Sequence, residues 1–301
     1  MSLLVVGSIA LDSIRTPHGE VEDILGGSAT FFSVTASWFT SVCVVAVVGD
    51  DFEERHLQIL RDRGIDTQGI DRVRGRTFRW KGEYTDDMNQ AHTLETQLNV
   101  FESFVPKIPA TYLNAQYLFL GNIDPVLQLN VRRALPNLCL SALDTMNYWI
   151  KGMPEDLAKV LATVEILLIN EGEARMLSGQ GNLKKAAAII QKIGPRVVVI
   201  KRGEHGATLF GSGFIFSVPG YPLDEVRDPT GAGDTFAGGF MGHLARTGDM
   251  SDANLRRAAV YGSVMGSFAV EEFGLGRLLR LTPAEIESRY REIKHLTQFD
   301  A

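Results

Sequence analysis

Apolar and polar positions along the chain fall into two alternating rhythms. Leu3–Val6, Val42–Val48, Tyr117–Leu120, Leu138–Ala142, Ile166–Ile169 and Val197–Ile200 are short, almost wholly apolar runs, with Phe214–Ser217 as a further short one. A run apolar on both faces suits a parallel strand covered by helices on either side. Between these runs, Ser28–Trp38, Phe52–Arg63, Leu157–Ala162, Leu183–Lys192, 233–247 and 253–270 carry apolar residues at helical spacing. Strand and helix in turn predict an α/β sheet with crossover helices. From 76 to 99 the pattern changes to alternation, through Thr77–Trp80, Gly82–Thr85 and His92–Val100, about an Asp/Asn-rich turn at 86–89. That segment predicts antiparallel hairpins, either covering a site or decorating an edge.

The segment with most chemistry is Asp228-Pro-Thr-Gly-Ala-Gly-Asp-Thr-Phe-Ala-Gly-Gly-Phe240. Thr230, Gly231, Ala232 and Gly233 form a small-residue loop running straight into a helix. The first amides of a helix lack intrahelical partners and its dipole is positive there, so such a loop suits an anion, phosphate above all. Asp234 stands in the first turn, where a carboxylate would repel a phosphate unless it had work to do. Deprotonating an attacking hydroxyl is such work. The glycines fit neither GxGxxG nor a Walker loop, which speaks against a dinucleotide-binding oxidoreductase.

Composition narrows the field further. The chain has 301 residues, 45% of them hydrophobic and 22% charged, enough for a sizeable core. A net charge of −6 leaves no dense basic face for nucleic acid, and Arg72-Val-Arg74-Gly-Arg76 reads as a solvated strand edge. MSLLVVGSIALD has no cationic start and is interrupted by Asp12, so it reads as a buried strand and not a secretion signal. No run approaches the roughly 18 apolar residues of a membrane span. Cys43 and Cys139 read as two buried thiols of a cytoplasmic protein, and the histidines show no metal-binding spacing.

Asp228–Phe240 closely resembles the C-terminal signature of the ribokinase-like, or PfkB, family of carbohydrate and nucleoside kinases. The resemblance runs over nearly the whole chain, through Gly7-Ser-Ile-Ala-Leu-Asp12, Gly26-Gly27 with its small-residue helix, and Gly49-Asp-Asp-Phe52. It implies a three-layer α/β/α fold with a mostly parallel central sheet and a small β-sheet lid, within one domain whose lid segments lie around 12–24 and 74–104. It implies an ATP-dependent kinase using Mg2+, with Asp234 as general base and Gly231, Ala232 and Gly233 as the anion hole. Asp12, Gly26, Gly27 and Thr30 would bind the acceptor. Lys201, Gly203, Gly206, Thr230 and Ser263 would meet ATP, while Asn170 and Glu173, in Asn-Glu-Gly-Glu, would organise Mg2+ through water.

Potassium near Asp228 and Thr230, and a homodimer formed through the lid, are further implications of the resemblance. Thr30 stands where the family often has asparagine, which weakens the case for ribose itself. The expected acceptor is the primary hydroxyl of a small sugar. The alternative is an adenosine- or cytidine-like nucleoside, favoured by the aromatic pair Phe31-Phe32; a non-catalytic sensor with the same fold stands third. Trp80, Tyr84 and Phe101 would cover the acceptor or pack the hairpins onto the body, and Asn122 and Asp124 have no assigned role.

Overall fold

The computed structural model describes residues 2–298. Their strands, in chain order, are β1 (Ser2–Val6), β2 (Ala10–Thr16), β3 (Gly19–Gly26), β4 (Ser41–Val48), β5 (Asp66–Arg72), β6 (Phe78–Glu83) and β7 (His92–Gln97). There follow β8 (Tyr117–Leu120), β9 (Leu140–Leu143), β10 (Ile166–Asn170), β11 (Val197–Lys201), β12 (Ala207–Phe210) and β13 (Ile215–Val218). Nine make one sheet, ordered β13-β12-β11-β10-β9-β8-β1-β4-β5, and four make a second, ordered β3-β2-β6-β7. Neighbours from β5 to β11 are all parallel, and β12 and β13 close the far edge antiparallel.

The apolar strands are two-faced, as their sequences require. Along β1, Leu3 and Val5 enter one core cluster while Leu4 and Val6 enter the other. The first cluster also holds the apolar residues of helices Ser28–Ala36, Ala232–Thr247 and Asp252–Ala269; the second holds those of Pro154–Leu161 and Leu183–Gln191. Helix Ser28–Ala36 is buried at every position, and Phe32 stacks on Phe119 of β8 at 4.1 Å between ring centres. The strand order turns about β1, with β4 on one side and β8 on the other. The carboxyl ends there form the crevice where open α/β sheets bind ligands.

Several elements depart from the sequence reading. Strands β2 and β3 cover the 12–24 segment that the resemblance implied for a small sheet, although β3 leaves no apolar run to mark it as a strand. Strand β9 begins at Leu140, two residues later than expected, and so ends directly before Asp144. Helices Gly276–Arg280 and Pro283–Leu296 were not anticipated, although Thr282 and Glu285 form a reciprocal capping box with Pro283 at the first helical position. The cysteines are not both buried: Cys43 is half-buried and Cys139 exposed. The arginine stretch ends the edge strand β5, with Arg74 and Arg76 in solvent. Among the described residues no helix is long and apolar enough to cross a membrane.

Phe32 sits where the buried helix, β8 and the core beneath Ala232–Thr247 meet. Phe32→Ala should cost about 3–5 kcal/mol, the usual loss for a truncated core aromatic, read as a shift of the urea unfolding midpoint.

Candidate functional site

Three consecutive parallel strands deliver one polar residue each to the same end of the sheet. Asp144 follows β9, Asn170 ends β10 and Lys201 ends β11, with Asn170 and Lys201 paired in register. Lys201 Nζ lies 3.2 Å from Asp144 Oδ2, and both side chains are mostly buried, at 15% and 8% exposed. The charges of Glu173 and Asp234 also bear on Lys201 and, with Asp144, hold its pKa above the ordinary value despite burial. Burial, then the charge of Asp144, push the carboxyl of Asp234 up to about 7, while Lys201 pulls it down. Glu173 is likewise pushed up to about 7 by burial and Asp144.

The anion loop lies against this cluster. Gly231 caps helix Ala232–Thr247 in the left-handed conformation (φ 73°), and a Cβ there would also overlap the ring of Phe31. No side chain caps the helix, and the amides of Gly233 and Asp234 have no partner among the described residues. A Cβ on Gly233 would come within 2.9 Å of Lys201 Nζ, so the lysine sits directly against the loop. Behind it, the fully buried carboxylate of Asp228 accepts from the amides of Thr230 at 2.9 Å and Gly274 at 3.0 Å, fixing the curve of the loop. Free amides, a cation and a buried carboxylate thus meet where an anion and a hydroxyl could be brought together.

Asp12 of β2 is a further buried acid, only 5% exposed. Burial pushes it up to about 7, opposed by a hydrogen bond from the Gly27 backbone and reinforced by the charges of Asp228 and Asp234. Gly26 is required beside it, since a Cβ there would overlap the Asp12 carboxylate. Asp12, Gly26 and Gly27 are therefore together and share an electrostatic field with Asp234. Thr30 differs: it has no exposed surface and its Oγ1 has no partner, so it does not line an open cleft. Phe31 and Phe32 are buried too, which removes the aromatic-pair argument for a nucleoside.

Other anticipated residues have mixed placements. Asn170 and Glu173 cap each other's backbone, Asn170 Oδ1 accepting from Glu173 N and Glu173 Oε2 from Asn170 N, both at 2.8 Å. Gly203 and Gly206 both adopt positive φ in the turn after β11, whereas the Ser263 hydroxyl donates to the Pro219 carbonyl. Asn122 accepts from the Trp149 indole and Asp124 caps helix Pro125–Ala134, so both have structural partners. Phe101 packs between Phe78 and Phe104, and Trp80 donates to Thr93. Tyr84, by contrast, reaches Thr230 of the anion loop. The residue missed was Asp144, whose signal was an acid immediately after an apolar strand. A cavity of about 640 Å3 beside Arg74, Arg76 and Lys107 lies outside this cluster, with Lys107 already paired to Asp71.

Residues 2–280 match the family model described as pfkB family carbohydrate kinase. A cytidine kinase of Thermococcus kodakarensis is 31% identical over 252 residues, covering 82% of this chain and 89% of the relative. Among solved structures, an aminoimidazole riboside kinase from Salmonella enterica, complexed with aminoimidazole riboside and an ATP analog, superposes with a TM-score of 0.76 at 19% identity, covering 96% of this chain and 100% of that one. A ribokinase-type protein from E. coli in complex with ATP and Mg2+ gives 0.79 at 20% identity, covering 97% and 99%. The fold is the three-layer, ribokinase-like α/β arrangement these structures share.

The raised carboxyl of Asp12 has a consequence for stability. Between the ordinary value of 3.8 and about 7 the folded protein holds the extra proton, so stability falls as pH rises through that window. Asp12→Asn should therefore stabilise the protein at about pH 8, by at most about 4 kcal/mol, and much less at about pH 4. Urea unfolding of both proteins at the two pH values measures the difference.

Proposed function

The chain belongs to the pfkB family of carbohydrate kinases, and on that footing we propose that it moves the γ-phosphoryl group of ATP to the primary hydroxyl of a cytidine-like nucleoside. The observation that carries the phosphoryl-transfer reading is the convergence of Asp234 and Lys201 on an uncapped helix start. In this reading the amides of Gly233 and Asp234 receive the transferring group, and Lys201 stabilises charge gathering on its oxygens. Asp234 takes the proton from the attacking hydroxyl. A base whose pKa lies near 7 is well matched to that task at neutral pH.

Asp12, with Gly26 and Gly27, holds acceptor hydroxyls at the opposite side of the crevice. ATP lies along Lys201, Gly203, Gly206 and Thr230, toward the Ser263 segment. No group of three or more His, Cys, Asp or Glu among the described residues is arranged to hold a metal directly. Asn170 and Glu173 spend one oxygen each on their mutual cap, which leaves one Glu173 oxygen able to hold a cation through water. Mg2+, when bound, supplies positive charge to the phosphates. The second sheet serves as the lid, and its outer strand β7 is exposed along nearly its whole length, an edge through which two copies could pair.

The nucleoside is preferred to the small sugar on the likeness to the Thermococcus cytidine kinase, the relative described above. The sugar reading keeps the support of the family's own description, and Asp12 would serve either acceptor through its hydroxyls.

ADP release from Mg·ATP across cytidine, adenosine, ribose, fructose and inositol tests both. Cytidine is expected to give the highest kcat/KM, and Asp234→Asn to lower kcat about 10²–10⁴-fold with the same acceptor. A better sugar substrate would return the acceptor to the carbohydrates. Loss of less than about tenfold would remove Asp234 from the role of base.

A further inference from the structure

The small sheet does more than stand beside the crevice, because the turn after β6 reaches across it. Tyr84 is held at the sheet end by its amide, which donates to the Arg15 carbonyl of β2 at 2.9 Å. Its side chain extends to the anion loop, where the Thr230 hydroxyl donates to Tyr84 Oη at 3.2 Å. Asp228 and Asp12 are the charged groups acting on that phenol, so it lies between the acceptor side and the loop. Five residues on, Asn89 meets the other loop: its Oδ1 accepts from Glu204 N at 3.4 Å, and it sits so close to Gly203 that a Cβ there would overlap it. Gly203 also has φ of 55°, so a side chain at that position is excluded twice over.

One turn of the acceptor-side sheet therefore touches both loops assigned above to the phosphates and the nucleotide. We infer that Tyr84 is a positioning residue that couples seating of this sheet over the acceptor to the shape of the Thr230–Gly233 loop, with Asn89 as a weaker second tie. The inference rests on the kinase reading. A contact made only when the sheet is seated must make the two substrates bind synergistically, and the coupling is reciprocal. One hydrogen bond in a half-buried setting is worth about three- to tenfold in such a coupling. Removing only the hydroxyl leaves the ring in place and so separates the coupling from any packing the ring makes.

Calorimetry tests this with Mg·AMP-PNP as the nucleotide and cytidine as acceptor, or whichever acceptor the panel above returns. For the wild type, saturating acceptor is expected to tighten nucleotide binding about three- to tenfold. Tyr84→Phe should bring that factor to about one while leaving each substrate's affinity alone within about twofold, and Asn89→Ala should reduce it in part. A Tyr84→Phe protein that keeps the wild-type coupling factor, while the wild type transfers phosphate normally, overturns this inference alone. So does a variant that loses affinity for each substrate separately, since that marks a merely structural role. A wild type that transfers phosphate to no acceptor removes the kinase reading itself.

Discussion

The ion pair between Lys201 and Asp144 is the interaction on which the arrangement of the site depends. It lies among three carboxylates, those of Asp144, Glu173 and Asp234, that act on the same ammonium group. Burial disfavours every one of these charges, and a lone cation cannot offset three anions, which is why Glu173 and Asp234 are held far above the ordinary carboxylate range. A protein selected only for stability would not bury such a group. On the proposed reading, the excess of negative charge suits a partner that brings positive charge, and the two free helix amides beside it suit that partner's phosphate.

Backbone geometry puts these groups together before any side chain acts. Asp144 and Lys201 meet because β9, β10 and β11 run parallel, so their carboxyl ends form one ledge, on which Asn170 stands directly beside Lys201 in register. A register slip of one residue would turn each side chain to the other face. Helix Ala232–Thr247 then fits closely onto the ledge only because Gly231 and Gly233 carry no Cβ. On the acceptor side the same economy appears at Gly26, which leaves room for the Asp12 carboxylate. Function here is concentrated at strand ends and helix starts, where the backbone itself has polar groups to offer.

Those features decided what could be read in the sequence. The anion loop and Asp234 were legible because small residues and a helix start announce them, whereas Lys201 and the pair Gly26-Gly27 were reached only through the family resemblance. The central strands were legible because burial on both faces writes an uninterrupted apolar run. Asp144 was not found, because placing β9 two residues too early hid the acid at its end. No apolar run marked β2 or β3, so only the resemblance pointed to a sheet segment around 12–24, and the Phe31-Phe32 pair misled because an aromatic pair looks alike facing a ligand or filling a core. Asn170 and Glu173 illustrate a different limit: the same two side chains form a helix cap and are candidates for metal, and spacing alone cannot separate these roles.

The most direct measurement of the central claim is the pH dependence of stability in Lys201→Met. If Lys201 is the cation that makes the buried carboxylates tolerable, the variant should lose about 3–5 kcal/mol relative to wild type at about pH 8, where the acids must ionise without it. At about pH 5 Glu173 and Asp234 can remain protonated at small cost, and the loss should shrink to less than about half. Equal losses at the two pH values, or a gain in stability at the higher one, would mean that the carboxylates do not depend on Lys201 and that the cluster is not the organising feature of the site.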